Sequence, residues 1–158
     1  KDSERNRGVL YPGLAQRMSA GRGIWHSEMN NSGSDDVHFV QMWVPPDTES
    51  IDPGYEQLDI NAELARGGLV PIASGKGHDA ALSIRQRGAV LWGARLGPDE
   101  PIVVPDDRHV HVFVPRGSAT LDGAGALSIG DAVRLTGAGS PRLTAGPDGA
   151  EVLIWATA

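Results

Sequence analysis

No helical period persists for more than two turns anywhere in this chain. Short apolar, β-branched runs recur instead, each closed by a turn signal, and that alternation limits the fold more than any other feature. The turns are explicit: Gly97-Pro98-Asp99, Pro105-Asp106-Asp107, Asp122-Gly123 and Pro147-Asp148-Gly149. A content of 21 Gly and 11 Pro in 158 residues supplies them. In the second half the pattern predicts strands over residues 69–73, 81–85, 89–96, 102–104, 109–114, 118–121, 132–135, 142–145 and 151–156. In the first half it predicts strands over 9–11, 15–18, 24–29 and 37–44, then an irregular stretch over 45–53. One short helix fits residues 60–66. Strands spaced by roughly 8–12 residues with such turns indicate an all-β sandwich or barrel. A chain of this length can bury about 68–70% of its unfolded surface, so a true core is within reach.

The stretch Met18-Ser19-Ala20-Gly21-Arg22-Gly23-Ile24-Trp25-His26-Ser27-Glu28-Met29 carries the chemistry. It reads as a glycine-rich turn leading into a strand. Alternate side chains of a strand share a face. Ile24, His26 and Glu28 then point one way, and Trp25, Ser27 and Met29 the other. An imidazole beside a carboxylate offers two ligands to a divalent metal. The same two groups also suit a salt-linked pair on a barrel strand. Parity puts Trp25 opposite His26, in the core.

Two runs in this region resemble the central signature of the pirin family of bicupins: Gly8-Val9-Leu10-Tyr11-Pro12-Gly13, and Met18 through Glu28. His38, Gln41 and Trp43, in Val-His-Phe-Val-Gln-Met-Trp-Val-Pro-Pro, resemble that family's next strand, and Ile51-Asp52-Pro53-Gly54-Tyr55 the motif after it. The specific matches cover residues 8–60. From Leu69 onward the likeness is to the family's degenerate second cupin and rests on pattern. The resemblance implies double-stranded β-helix (cupin) barrels. Residues 1–60 are then the C-terminal part of a first, metal-binding cupin, 61–68 a linker, and 69–158 a complete second cupin.

The resemblance further implies a metal site of three His and one Glu. Two of these map onto His26 and Glu28. The other two lie on a His-x-His strand upstream of the region where this chain begins. The chain therefore reads as a fragment that starts inside a domain and is inactive in isolation. Its open barrel edge is expected to hold the absent N-terminal segment or a second copy of the chain. Two positions depart from the family's pattern: Leu14 stands where Asp is common, and Phe39 where Gly is common. Neither removes a ligand.

The implied activity is a metal-dependent dioxygenation of the quercetin 2,3-dioxygenase type. Iron is the first expectation, and manganese, nickel or zinc suit the same N/O donors. The substrate would be a flavonol, with Glu28 as ligand and as general base for its hydroxyl proton. Trp25, Met29 and Trp43 are candidates for a flavonoid pocket, with core packing the stronger expectation. The alternative from another class is a regulatory protein, whose metal or redox state governs docking on transcription or metabolic partners.

The remaining histidines are weaker candidates. His109 and His111 form the chain's one His-x-His. Gly117 follows too soon, no Glu intervenes, and Ser140-Pro141-Arg142-Leu143 carries no downstream His. The pair is expected to line a barrel mouth or face solvent without metal. His38 reads as a packing residue or one that orients a ligand, and His78 as a loop histidine. Gly21-Arg22-Gly23 lacks the third Gly and the following helix of a dinucleotide site, so it reads as a turn.

Composition narrows the classes further. A net charge of −6, with Arg17, Arg22, Arg85, Arg87 and Arg95 dispersed, disfavours direct nucleic-acid binding. No run approaches the roughly 18 apolar residues of a membrane span. The absence of Cys removes thiolate ligands and disulfides and suits a cytoplasmic setting.

Overall fold

The computed structural model describes residues 1–3 and 7–158. Its elements are β1 (Leu14–Ser19), β2 (Gly54–Asp59), α1 (Asn61–Leu64), β3 (Val70–Ser74), β4 (Leu82–Ser83), β5 (Ala89–Leu96), β6 (Pro101–Val103), β7 (His109–Leu121), β8 (Gly125–Leu127), β9 (Ala132–Thr136) and β10 (Arg142–Thr157). The molecule is all-β, as the turn pattern predicts, with one helix of 4 residues.

Two long bent strands, β7 and β10, build the barrel of the second half. The C-terminal part of β10 pairs with β5 and with the N-terminal part of β7, which in turn pairs with β9. The N-terminal part of β10 pairs with β6 and with the C-terminal part of β7, which pairs with β8. Each long strand thus pairs with different neighbours along its two halves. The pattern predicts two strands where each of these runs. The Gly and Pro signals within them mark bends rather than breaks. The β7–β10 register shifts between Ala145 and Ala150, and the bulge closes where Gly117 pairs with Ala150.

The inward faces make one core. Val104, Val112, Val114, Leu121, Leu143, Val152 and Ile154 are among its most deeply buried side chains. They alternate with outward residues, as period-two patterning requires. A second cluster forms on the opposite side of the sheet from Ile60, Ile72, Ala73, Leu82 and Leu91. Ala15 of β1, Leu64 of α1 and Trp155 of β10 pack against it. This cluster joins the first half of the chain to the barrel. Residues 61–68, expected as a linker, carry α1 and lean on this cluster through Leu64.

The first half differs from expectation. β1 pairs antiparallel with β2, a strand that the sequence pattern does not predict. Residues 9–11, 24–29 and 37–44, predicted as strands, form no ladder. Among the described residues, an isolated bridge between Asp2 and His26 is the one β-bridge in that region. The alternation of side chains is there, but a strand also needs a neighbour to satisfy its backbone N–H and C=O groups. Among the described residues only Lys1–Ser3 supply one, through Ser3 N to Trp25 O at 2.7 Å and Ser27 N to Lys1 O at 2.9 Å.

β2 is tied to the barrel by Glu56. Its carboxylate accepts from Ser83 N at 3.0 Å and pairs with Arg17 Nε at 3.3 Å. The Ser83 backbone bond, with Arg17 beside it, holds the Glu56 carboxyl below the ordinary carboxylate range, against the opposing effect of burial. The stability it confers is therefore present above the unfolded carboxylate's pKa, about 4.3. It is lost as pH falls through the lower folded value. Glu56→Gln should lower the urea midpoint at pH 7, with the difference from wild type shrinking below about pH 4. Its side chain is 37% exposed, so the effect is small. A gap that stays constant from pH 7 to pH 3 would show that the ion pair and the Ser83 bond do not carry it.

Candidate metal centre

His26 and Glu28 lie in residues 20–53, between β1 and β2, in a segment held by its backbone bonds to Lys1–Ser3 and by Arg22. Gly21 makes the turn at its start, with φ +55. A Cβ there would stand 2.2 Å from Ile51 O, so a side chain would collide with the returning backbone. Arg22 N donates to that same Ile51 O at 2.9 Å, and the Arg22 guanidinium pairs with Asp52. The family-like motifs at 18–28 and 51–55 thus meet in space and fix the start of the segment.

Both His26 and Glu28 are exposed, as are Trp25, Met29, His38 and Trp43. Trp25, which parity assigns to the core, is instead 87% exposed. Met29 is 82% and Trp43 89% exposed, so core packing fails for all three. No second layer of sheet covers this segment among the described residues.

Asp2 bridges His26 through the backbone, and the Lys1 ammonium donates to Ser27 O at 3.0 Å, between His26 and Glu28. Burial raises the Tyr55 phenol above its ordinary range, and the negative charges of Asp2 and Glu28 add to that rise. Tyr55 donates its hydroxyl to Gln57 Oε1 at 2.8 Å. An imidazole and a carboxylate fit a divalent cation as two of its ligands. No three His, Asp or Glu groups converge on one point among the described residues. The donor pair therefore suits part of a centre.

The other histidines fall elsewhere. His109 and His111 share the outward face of β7, away from Val110 and Val112, beside Trp155 of β10. They line an open cleft on that outer face rather than a barrel mouth, and no group of three His, Asp or Glu includes them among the described residues. His78 sits in the loop after β3, with Nδ1 3.1 Å from Ser74 Oγ and its ring edge-on to Trp92. Two residues that sequence reasoning passes over prove prominent: Arg134, opposite His111, and Trp155. Period-two parity marks both as outward, since Val133 and Leu135 flank the first and Ile154 and Ala156 the second.

No described helix is long and apolar enough to cross a membrane. Comparison with known proteins accords with the architecture. The chain is 54% identical, over 98% of its length, to a Mycobacterium tuberculosis protein provisionally named quercetin 2,3-dioxygenase. It spans 64% of that relative. It is 32% identical over 80% of its length to the quercetin 2,3-dioxygenase of Escherichia coli K12, of which it spans 54%. The crystal structure of Escherichia coli YhhW superposes on the whole chain with a TM-score of 0.87 at 30% identity, the chain covering 66% of it. A second YhhW structure, in complex with nickel(II), superposes on 98% of the chain and 66% of YhhW at 0.83 and 28% identity. With residues 1–44 matching the family described as Pirin and residues 71–155 the quercetinase C-terminal cupin domain, the chain belongs to the pirin family of bicupins.

Proposed function

We propose that this chain forms the larger part of a metal-dependent flavonol dioxygenase of the quercetin 2,3-dioxygenase type, with His26 and Glu28 among its metal ligands. The observation that carries the reading is the placement of an exposed imidazole and carboxylate two residues apart within the pirin match. The names of the similar proteins support the substrate class. Nickel in the YhhW complex supports a divalent ion. Iron is our choice among the ions that mixed N/O donors accept.

The residues of this chain have separable tasks. His26 offers a ring nitrogen, and Glu28 offers an oxygen that carries charge. Glu28 would also be the base that takes a proton from an incoming flavonol hydroxyl. A bound ion supplies a Lewis-acid template and an electron conduit between flavonol and dioxygen. The exposed ring of Trp25, next to His26 in sequence, offers a flat surface against which an aromatic substrate can stack.

The test uses the intact, metal-loaded protein with quercetin under air. Loss of the flavonol absorption band at a rate proportional to enzyme, and abolished by chelation, is the expected result. A band that persists would favour a second reading, a metal-dependent regulatory protein. That reading draws support from the exposed apolar side chains of Trp25, Met29, Val37, Phe39 and Trp43, which suit a protein partner.

A further inference from the structure

We propose that the outer face of the second barrel binds a flat aromatic carboxylate, in a cleft between β9, β7 and β10. The cleft has a volume of ≈ 520 Å³, and its polar walls are His109, His111, Arg134, Thr136 and Thr157, with Trp155 at one side. A second cleft of ≈ 260 Å³ adjoins it and shares Trp155 and Thr157. Trp43 and Pro45 form the far wall of that second cleft. The two clefts thus meet at Trp155 and Thr157, with Trp43 at an aromatic end and Arg134 at the other.

The fixed charge of Arg134 at the other end selects the sign of the ligand. Arg134 stands in register with His111 across the β7–β9 pair, and His109 lies two residues along the same face. Directly opposed cross-strand side chains have Cβ atoms about 4.5–5.5 Å apart. Arg134 has no ion-pair partner among the described residues. The acid that senses His109 is Asp107, and it is already paired with Lys76. A metal is disfavoured here, since a guanidinium faces the histidine pair and no third ligand converges. An anion suits the guanidinium, with the neighbouring imidazole N–H groups as further donors. A carboxylate matches the planar fork of Arg better than a monodentate anion does.

The aromatic end selects the body of the ligand. Trp155 Nε1 donates to Met42 Sδ at 3.1 Å, which fixes the indole plane. Trp43 projects freely beside it. Two indoles flanking an open groove favour a planar ring through offset or edge-to-face contact. This groove is independent of the proposed metal centre, because neither His26 nor Glu28 lines either cleft.

The test is calorimetric titration of residues 1–158 with 2-naphthoate, beside the uncharged 2-naphthalenemethanol and the non-aromatic cyclohexanecarboxylate. Saturable one-to-one binding of 2-naphthoate is expected, with both analogues weaker. Arg134→Gln should weaken it at least about tenfold, the usual consequence of losing a charge-assisted hydrogen bond. Trp43→Ala should weaken it by roughly threefold to tenfold through lost ring contact. Both side chains are exposed, so these variants keep the fold, whereas Trp155 packs on the second core cluster and is left intact. Absence of saturation, equal binding of the uncharged alcohol, or indifference to Arg134→Gln would each overturn the proposal.

Discussion

His26→Ala should remove stoichiometric metal from the intact protein, as read by elemental analysis after dialysis. In residues 1–158, nickel titration should show only weak binding, and the substitution should abolish it. The physical reason is that two donors barely compete with water, and one donor does not compete at all. Outer-shell changes around metal sites typically cost 10–100-fold in affinity, so the loss of a ligand itself should exceed about that range. Glu28→Gln should behave similarly, since it removes the charge while keeping the shape. Both side chains are exposed, and surface substitutions usually change stability by less than about 0.5 kcal/mol. The Asp2–His26 bridge is made by backbone and survives the change. A melting temperature unchanged from wild type therefore isolates the metal effect. His111→Ala serves as the control and should leave metal content as it was. Retention of metal by both His26→Ala and Glu28→Gln, or its loss on His111→Ala, would move the centre away from the proposed pair.

A large effect on stability is expected at Gly117. Its φ is +73, and a Cβ there would lie 2.2 Å from Gly149 O and 3.0 Å from Ala150 Cα. Those atoms are backbone, so they cannot rotate away as a side chain would. The position is the bend of β7, where its register with β10 resumes at Ala150. Gly149 itself has φ +80, and a Cβ on it would meet Leu96 O at 2.5 Å. Three backbones thus converge at this corner of the barrel. Gly117→Ala should cost about 1–2 kcal/mol for the left-handed conformation alone. Displacing packed structure adds typically about 1–3 kcal/mol more. Gly123 provides the contrast, with φ +81 and no atom within 4 Å of where a Cβ would stand. Gly123→Ala should therefore cost only the conformational part. Urea unfolding of the two variants decides the matter, and equal losses would mean that the corner is not tightly closed.

How far each element of this fold is legible depends on the kind of information it needs. The strand at Ala89–Leu96 is readable to its ends, because its apolar run is bounded by turn residues and it is buried along nearly its whole length. β7 and β10 are readable as apolar runs but not as continuous strands. Pro115 with Gly117, and Pro147 with Gly149, look like terminators in sequence, and only the closure of the barrel turns them into bends. β2 is hidden because Gly54–Asp59 has polar residues on both faces, and its pairing with β1 supplies what its composition does not. The opposite holds at 24–29 and 37–44. There the alternation of side chains is real, but a strand is a property of two segments, and the described chain offers almost no second one.

The candidate centre divides along the same line. Sequence alone determined the family signature, the two donors and their spacing, since these depend only on residue identity and order. It also determined that Val110, Val112 and Val114 face one way and His109 and His111 the other, since parity along a strand is local. Tertiary structure alone decided that Trp25 and Trp43 are exposed, because burial depends on what covers a face. It alone set Arg134 opposite His111 and Trp155 between two clefts, because long-range antiparallel register joins residues that no local pattern connects.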